Sequence, residues 1–382
     1  MIASGGYGCI YRPEITKHGK QTKNEEMVSK IQLNNFSSKN EMEISEILKE
    51  LKNADDYFGL IENMSGINIS KMSSQLKAPC DKLKAHKTED FILMNIPFIG
   101  KYNYREYLLN QGNNKNLFLY MVETYKRLLS GLILLSEKKI IHFDLKDTNI
   151  LFDETKKLPK IIDFGLSIQI DKVWDNLTKY FYIYAPDYYY WPLEVHYLNF
   201  IFHEKSKPNL IEQKIICQSF VEQNNILQDN FSPFFKKKYL KLCEKQLEEY
   251  EKDPKEAIKH ILNRANTWDN YSLSLLFLKY LKYFNILGFV KNNFMCHFAT
   301  LLTTNIHPNP LKRYTPQETL DKFEEYFYDV KINNTKNYIE ILENLIKTRE
   351  EMNIAIKKDM RELSRLDRII KSPSAMKSRS EA

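Results

Sequence analysis

Between positions 27 and 33 the chain reads MVSKIQL, with apolar and polar residues alternating at the period of a half-buried strand. The apolar run CIY at 9–11 follows a glycine turn, so residues 1–33 are expected to form strand, turn and strand. The period then lengthens. In KNEMEISEILKEL, Ile44, Ile47, Leu48 and Leu51 recur at helical spacing and predict a helix over about 39–52. DYFGLIE reads as a further strand, followed by a polar stretch through Pro79. DFILMNIPF at 90–98 is a short apolar strand that Pro97 should stop. From about 117 a long apolar face predicts a helix, and most of the remainder is helical, with a Lys/Gln/Asn-rich section at about 203–263. Over 330–370, Tyr338, Ile341, Leu342, Leu345, Met352, Ile356, Leu363 and Leu366 mark one apolar face. Thr348 and Asp359 interrupt any heptad seam, which favours a helix packing on its own domain over a coiled coil. The last stretch, KSPSAMKSRSEA, is small, basic and polar and is expected to be disordered. The order is α+β: a small strand-rich part with one helix, then a larger helical part.

Composition adds limits. The 382 residues are 43% hydrophobic and 27% charged, an ordinary balance for a globular chain with a sizeable core. A net charge of +7 suits anionic partners but is too small and dispersed to indicate nucleic acid. The most apolar run, LSLLFLKYLKYFNILGFV at 273–290, contains Lys279 and Lys282, so it is expected to be a buried helix and not a membrane span. MIASGGYGCI has no basic region leading into an apolar one, so no signal peptide is expected. Cys9, Cys80, Cys217, Cys243 and Cys296 are widely spaced without a C-x-x-C pair, and all five are expected to be free thiols in a reducing, cytoplasmic setting.

The chemistry concentrates in HFDLKDTN at 142–149. Asp144 is suited to orient an attacking hydroxyl and accept its proton, Lys146 to neutralise a transferring phosphoryl group, and Asn149 to hold a metal against phosphate oxygens. Fourteen residues beyond Asn149, KIIDFGLS presents Asp163 ahead of a Phe-Gly pair, a carboxylate suited to Mg²⁺. Asp-Phe-Gly by itself is weak; after HxDLKxxN at this distance it is a strong signal.

These motifs together resemble those of eukaryotic-type protein kinases, over about residues 2–328. The resemblance implies a two-lobed fold, with a small β-rich lobe at 1–94, a hinge at 95–100 and a mainly helical lobe at 101–328. A helical extension at 329–370 and the tail at 371–382 follow. It implies ATP and Mg²⁺ as cofactors, with Asn149 and Asp163 as the metal ligands. IASGGYGCI matches the glycine-rich loop over ATP phosphates: Ile2, Ala3 in the first glycine place, Ser4, Gly5, Gly6, Tyr7, Gly8, Cys9 and Ile10. Backbone N–H groups must approach phosphate closely there, which a Cβ obstructs. Lys30 resembles the strand lysine that pairs with α- and β-phosphates, and Met94 stands in the gatekeeper place. The acidic partner of Lys30 should lie on the helix at 39–52, with Glu41 favoured and Glu43 a competitor. WPLE resembles Ala-Pro-Glu, which implies a buried pair of Glu194 with Arg313. WDNYSLSLLF resembles the start of the central helix, with Asp269 holding the catalytic loop's backbone.

Four departures refine this. Phe143 stands where the family has an arginine that pairs with a phosphorylated activation loop. Every residue the chemistry requires is nevertheless present, which implies an active enzyme whose loop is ordered by packing, helped by the aromatic run YFYIYAPDYYYW at 180–191. Glu194 and Asp269 are 75 positions apart, leaving room for a helical insert with solvated charged faces. Asp187, not threonine, stands seven residues before Glu194. Met1 lies immediately before the glycine loop, so either the lid is short or the true start is upstream. The expected activity is transfer of the γ-phosphoryl group of ATP to Ser/Thr hydroxyls of protein substrates, with Lys146 pointing to that class. The motifs also resemble the serine/threonine kinases of large DNA viruses, which would place the protein in host cytoplasm or virion. The alternatives are a catalytically weak scaffold on the same fold and a small-molecule kinase, and the activation-segment features argue against the latter.

Overall fold

Five strands form an antiparallel sheet in the order β1-β2-β3-β5-β4: β1 (Ala3–Ser4), β2 (Gly8–Tyr11), β3 (Met27–Leu33), β4 (Asn63–Ile67) and β5 (Phe91–Pro97). The computed structural model describes residues 1–4, 8–85, 90–110, 117–153, 155–250, 253–285 and 293–331. Register sets Ile10 opposite Lys30 and Lys30 opposite Met94, so these three share one face of the sheet. Side chains one position away point to the other face. There Cys9, Tyr11, Ile31, Phe91 and Leu93 pack with Ile67, Ile69, Met72, Cys80 and Leu83.

Two of the five cysteines depart from the free-thiol expectation. Cys9 and Cys80 form a disulfide across 71 residues of sequence, with Cα atoms 6.0 Å apart. Spacing along the chain could not show this. The apolar patch on the outer face of β2 is covered by the segment holding α2 (Ser74–Lys77) and α3 (Asp81–Ala85), which brings the thiols together. Cys217 and Cys243 are buried free cysteines.

Helix α1 (Phe36–Lys49) begins three residues before its apolar periodicity because Asn35 and Ser38 form a capping box. Its buried side carries Glu41, Ile44 and Leu48 beside the small polar Ser37, Ser38, Asn40 and Ser45. DYFGLIE is not a regular strand. Phe58 and Leu60 turn into the main core, and Gly59 donates its N–H to Ile161, so the segment is pinned to the larger part. A Cβ on Gly59 would lie 2.4 Å from Ile99, which shows how closely the backbone approaches there. The strand is the polar NMSGI that follows. It pairs with β5 alone and is largely solvated, which suits an edge strand and hides it from an apolar pattern.

The larger part begins with α4 (Tyr104–Asn110) and α5 (Leu117–Glu137). Two small ribbons follow, β6 (Ile140–Ile141) with β9 (Ile168–Gln169) and β7 (Ile150–Phe152) with β8 (Pro159–Ile161). Next come α6 (Leu177–Tyr180) and α7 (Leu193–Glu204). The insert forms α8 (Leu210–Glu222), α9 (Asn225–Asn230), α10 (Pro233–Tyr250) and α11 (Pro254–Leu262). Its apolar sides join the main core through Ile216, Phe220, Tyr239 and Leu247. α12 (Trp268–Asn285), α13 (Asn293–Asn305) and α14 (Pro316–Lys331) complete the described chain. α12 is buried from Trp268 to Leu281, and Lys279 is drawn inward towards Asp147, 3.8 Å away. None of the described helices is long and apolar enough to cross a membrane. Beyond Lys331, the expected extension and tail lie outside the described residues.

His196 on α7 is wholly buried, and desolvation pushes its pKa down to about 4 from an ordinary 6.5. Between those values the unfolded chain holds one proton more than the folded one. Stability is therefore full above this window and falls as pH drops through it, by about 1 kcal/mol per pH unit. Urea unfolding should show a lower midpoint at pH 5 than at pH 7, and His196→Leu should shrink that difference.

Candidate active site

The turn HFDLKDTN between β6 and β7 is held largely by groups outside it. Asp269, in the first turn of α12, accepts the N–H of His142 at 2.6 Å and of Phe143 at 2.9 Å. Burial pushes this carboxyl above its usual range. Phe143 takes a left-handed backbone, φ +69°, which a residue with a Cβ adopts only when its surroundings impose it. Trp191 donates its indole N–H to the Phe143 carbonyl at 2.7 Å. The Phe143 ring stacks on Trp191 at 4.9 Å and meets Phe181 and Trp268 at about 6 Å.

Within the turn, Lys146 Nζ lies 2.8 and 2.9 Å from the two Asp144 oxygens. Asn149 Nδ2 donates to the Asp144 carbonyl at 2.9 Å and to its Oδ2 at 3.0 Å. The hydroxyl of Tyr188 also donates to Asp144 Oδ1. Behind the turn, Asp147 binds Arg105 of α4 at 2.8 Å and Tyr280 of α12 at 3.1 Å. Burial opposes the charge on Asp147, but Arg105 and Lys279 hold its carboxyl below the usual range. Sequence reading passed over Asp147 and took Tyr188 and Trp191 only as members of the aromatic run at 180–191. A lone charge and one aromatic residue among many carry no signal until packing selects them.

A second cluster meets the first at Asn149, whose carbonyl accepts the Ile162 N–H at 3.0 Å. Asp163 follows with a left-handed backbone, φ +67°, and its Oδ1 lies 3.0 Å from Lys30 Nζ. Lys30 Nζ also lies 2.7 and 2.9 Å from the carboxylate oxygens of Glu41. Burial works against the ammonium charge, but Asp163 and Glu41 outweigh it and hold the Lys30 pKa above its ordinary range. Glu43 points elsewhere and pairs with Lys172. Helix α1 is fastened to the Asp-Phe-Gly segment by Ser37 Oγ donating to the Gly165 carbonyl at 2.9 Å and Asn40 donating to that of Ser167 at 2.8 Å. A Cβ on Gly165 would stand 2.6 Å from Ser37 Oγ, so the close approach needs glycine. Phe164 packs edge-on against Phe58 and His142.

Of the glycine-loop positions, Gly5, Gly6 and Tyr7 lie outside the described residues. Ala3 and Ser4 form β1, and Gly8 opens β2, where a Cβ would lie 2.1 Å from the Ile31 carbonyl oxygen. Ile2 is exposed and donates its N–H to Ile10, which shares a sheet face with Lys30 and the buried Met94. The Cys9 side chain lies on the opposite face, in the disulfide. Farther out, Glu194 and Arg313 form a buried ion pair, with Trp268 donating to Glu194 at 2.9 Å. The two clusters place a buried carboxylate with a lysine on it beside a second carboxylate paired with another lysine. Such an arrangement can orient a hydroxyl and neutralise phosphate charge.

Residues 2–189 match the protein kinase domain. The chain carries a protein kinase domain over that stretch. It is similar to mitogen-activated protein kinase kinase kinase 1a of Physcomitrium patens, 34% identical over 91 residues, covering 24% of this chain and 11% of that protein. Serine/threonine-protein kinase 1 of African swine fever virus is 35% identical over 83 residues, covering 18% of this chain and 28% of the viral protein. Serine/threonine-protein kinase mig-15 of Caenorhabditis elegans is 23% identical over 172 residues, covering 45% of this chain and 14% of that protein. The matched stretches thus span less than a third of these relatives. The two-lobed kinase fold accounts for the architecture, with its small sheet beside a larger helical part.

The Phe143 side chain is buried and packs against the rings of Trp191, Phe181 and Trp268. Phe143→Arg should therefore destabilise this kinase by about 3 kcal/mol or more, since a guanidinium would lose the ring packing and bury a polar group in an apolar cage. Urea unfolding measures this, and a variant as stable as the wild type would contradict a closed cage.

Proposed function

We propose that this kinase is an active ATP-dependent enzyme that transfers the γ-phosphoryl group to Ser/Thr hydroxyls of protein substrates, without needing an activation-loop phosphate. The observation that carries this reading is the coexistence of two assembled clusters, Lys30–Glu41–Asp163 and Asp144–Lys146–Asn149, in one structure. In this reading residues 1–94 form the nucleotide-covering lobe, 95–100 the hinge and 101–328 the lobe that receives the substrate.

The residues present fit ATP and Mg²⁺. A Cβ on Gly8 would meet the Ile31 carbonyl oxygen, so glycine there answers to the packing of β2 on β3 at the end of the loop. Asp163 and the Asn149 amide oxygen are hard donors, and Mg²⁺ binds through a few such groups together with phosphate oxygens and water. When bound, Mg²⁺ neutralises charge on the β- and γ-phosphates. Lys30, fixed by Glu41, positions the α- and β-phosphates. Asp144 orients the substrate hydroxyl and accepts its proton, while Lys146 offsets charge gathering on the transferred group. Ile2, Ile10 and Met94 border the base, and the loop backbone from Ala3 to Cys9 covers the phosphates.

Independence from a loop phosphate is supported by the packing of 180–191. Of the Ser, Thr and Tyr residues at 167–190, all described, Thr178 alone is exposed. Phe143 cannot bind a phosphate, and it is committed to stacking on Trp191. Likeness to the African swine fever virus kinase supports a place among the kinases of large DNA viruses.

The test is transfer from labelled ATP, with Mg²⁺, to a generic protein substrate. Asp144→Asn and Lys30→Ala should each lower the rate by about a hundredfold or more. Thr178→Ala and Tyr184→Phe should each stay within about twofold of wild type, since Tyr184 is half-buried and the remaining acceptors are buried. Transfer that survives Asp144→Asn would sink the assigned mechanism. No transfer with varied divalent metals would point instead to a binding protein on a kinase fold.

A further inference from the structure

Tyr188 is fully buried, and its hydroxyl donates to Oδ1 of Asp144. That oxygen also takes Lys146 at 2.8 Å, while Oδ2 takes Lys146 at 2.9 Å and Asn149 at 3.0 Å. These contacts to both oxygens fix the rotamer of the carboxylate and leave it little freedom to turn. Three of them come from within the turn itself. The phenol comes from the activation segment, 44 residues away in sequence.

The phenol is not a mobile plug. Its ring meets Trp191 edge-on at 4.9 Å and lies beside Tyr190 at 5.9 Å, and Lys146 Nζ sits 5.7 Å from its centroid. Trp191 in turn is bonded to the Phe143 carbonyl, and the Tyr190 carbonyl accepts the Ser272 hydroxyl of α12 at 2.6 Å. The packing that holds Phe143 therefore also holds the hydroxyl on Asp144.

We propose that Tyr188 is a positioning residue for phosphoryl transfer: its phenol sets the Asp144 carboxylate and makes its alignment depend on a packed activation segment. This rests on Asp144 being the group that orients the substrate hydroxyl. It supplies a physical route by which the order of the segment reaches the reacting atoms without a phosphate.

Tyr188→Phe keeps the ring and removes the hydroxyl alone. With Mg²⁺ and ATP, kcat should fall about tenfold while KM for ATP stays within about twofold, since a hydrogen bond to a charged group is lost but nucleotide contacts remain. A second measurement does not use activity. Urea unfolding of wild type, Tyr188→Phe, Asp144→Asn and the double variant should show a non-additive coupling of about threefold or more in the unfolding constant. Unchanged or raised kcat overturns the assignment, as do additive unfolding effects. Phosphate found on Tyr188 by mass spectrometry after incubation with ATP also overturns it, because the residue would then be an acceptor. If wild type transfers but Tyr188→Phe equals it, this role alone fails. If wild type transfers nothing, the phosphoryl-transfer reading fails and removes the role with it, whatever the coupling.

Discussion

A carboxylate on the first turn of α12 fixes the turn that carries Asp144. Asp269 accepts two successive backbone N–H groups, those of His142 and Phe143, in a site that excludes water. Its burial disfavours the charge, and the two N–H donors and His142 counter that cost. Two adjacent donors on one carboxylate force the chain into a left-handed step at Phe143, which would otherwise be unfavourable. From that step onward Asp144, Lys146 and Asn149 point in directions that helix α12 has set.

The aromatic cage is the second layer of the same arrangement. Where the family's arginine would present a charge to a phosphate, Phe143 presents a ring to Trp191, Trp268 and Phe181. Trp191 closes the layer by bonding the Phe143 carbonyl, so one residue of the activation segment grips both side chain and backbone. Aromatic contacts of this kind depend less on salt than a charge pair does. The Glu194–Arg313 pair and the Trp268 indole anchor the far end of that segment to α12 and its neighbours.

The small part is coupled to this frame through polar contacts. Helix α1 offers Ser37, Asn40 and Glu41 on one face, and these reach Gly165, Ser167 and Lys30. Small polar residues on a buried helix face look unfavourable locally, yet each meets a partner on another element and so meets the demand of a buried donor or acceptor. The outer face of the sheet is closed independently by apolar packing and the Cys9–Cys80 disulfide.

Much of this was legible in the chain. Alternation in MVSKIQL, helical spacing in α1 and α5, the uniform apolarity of α12 and the motifs around Asp144 and Asp163 all reflect short-range geometry, where period and spacing report directly on which side chains share a face. Lys30 and Asp163 could be singled out because motif spacing is a local property. Other features could not be read. Glu41 and Glu43 sit two positions apart, and only the rotation of α1 against β3 decides which carboxylate reaches Lys30. The polar edge strand NMSGI has no apolar pattern, because its stability comes from pairing with β5. Cys9 and Cys80, or Tyr188 and Asp144, are brought together by packing across long stretches of chain. Sequence alone thus determined most of the elements and the motif side chains, through local periodicity and spacing. Tertiary structure decided which buried partners hold those side chains, because such contacts depend on distance in space and leave no trace in distance along the chain.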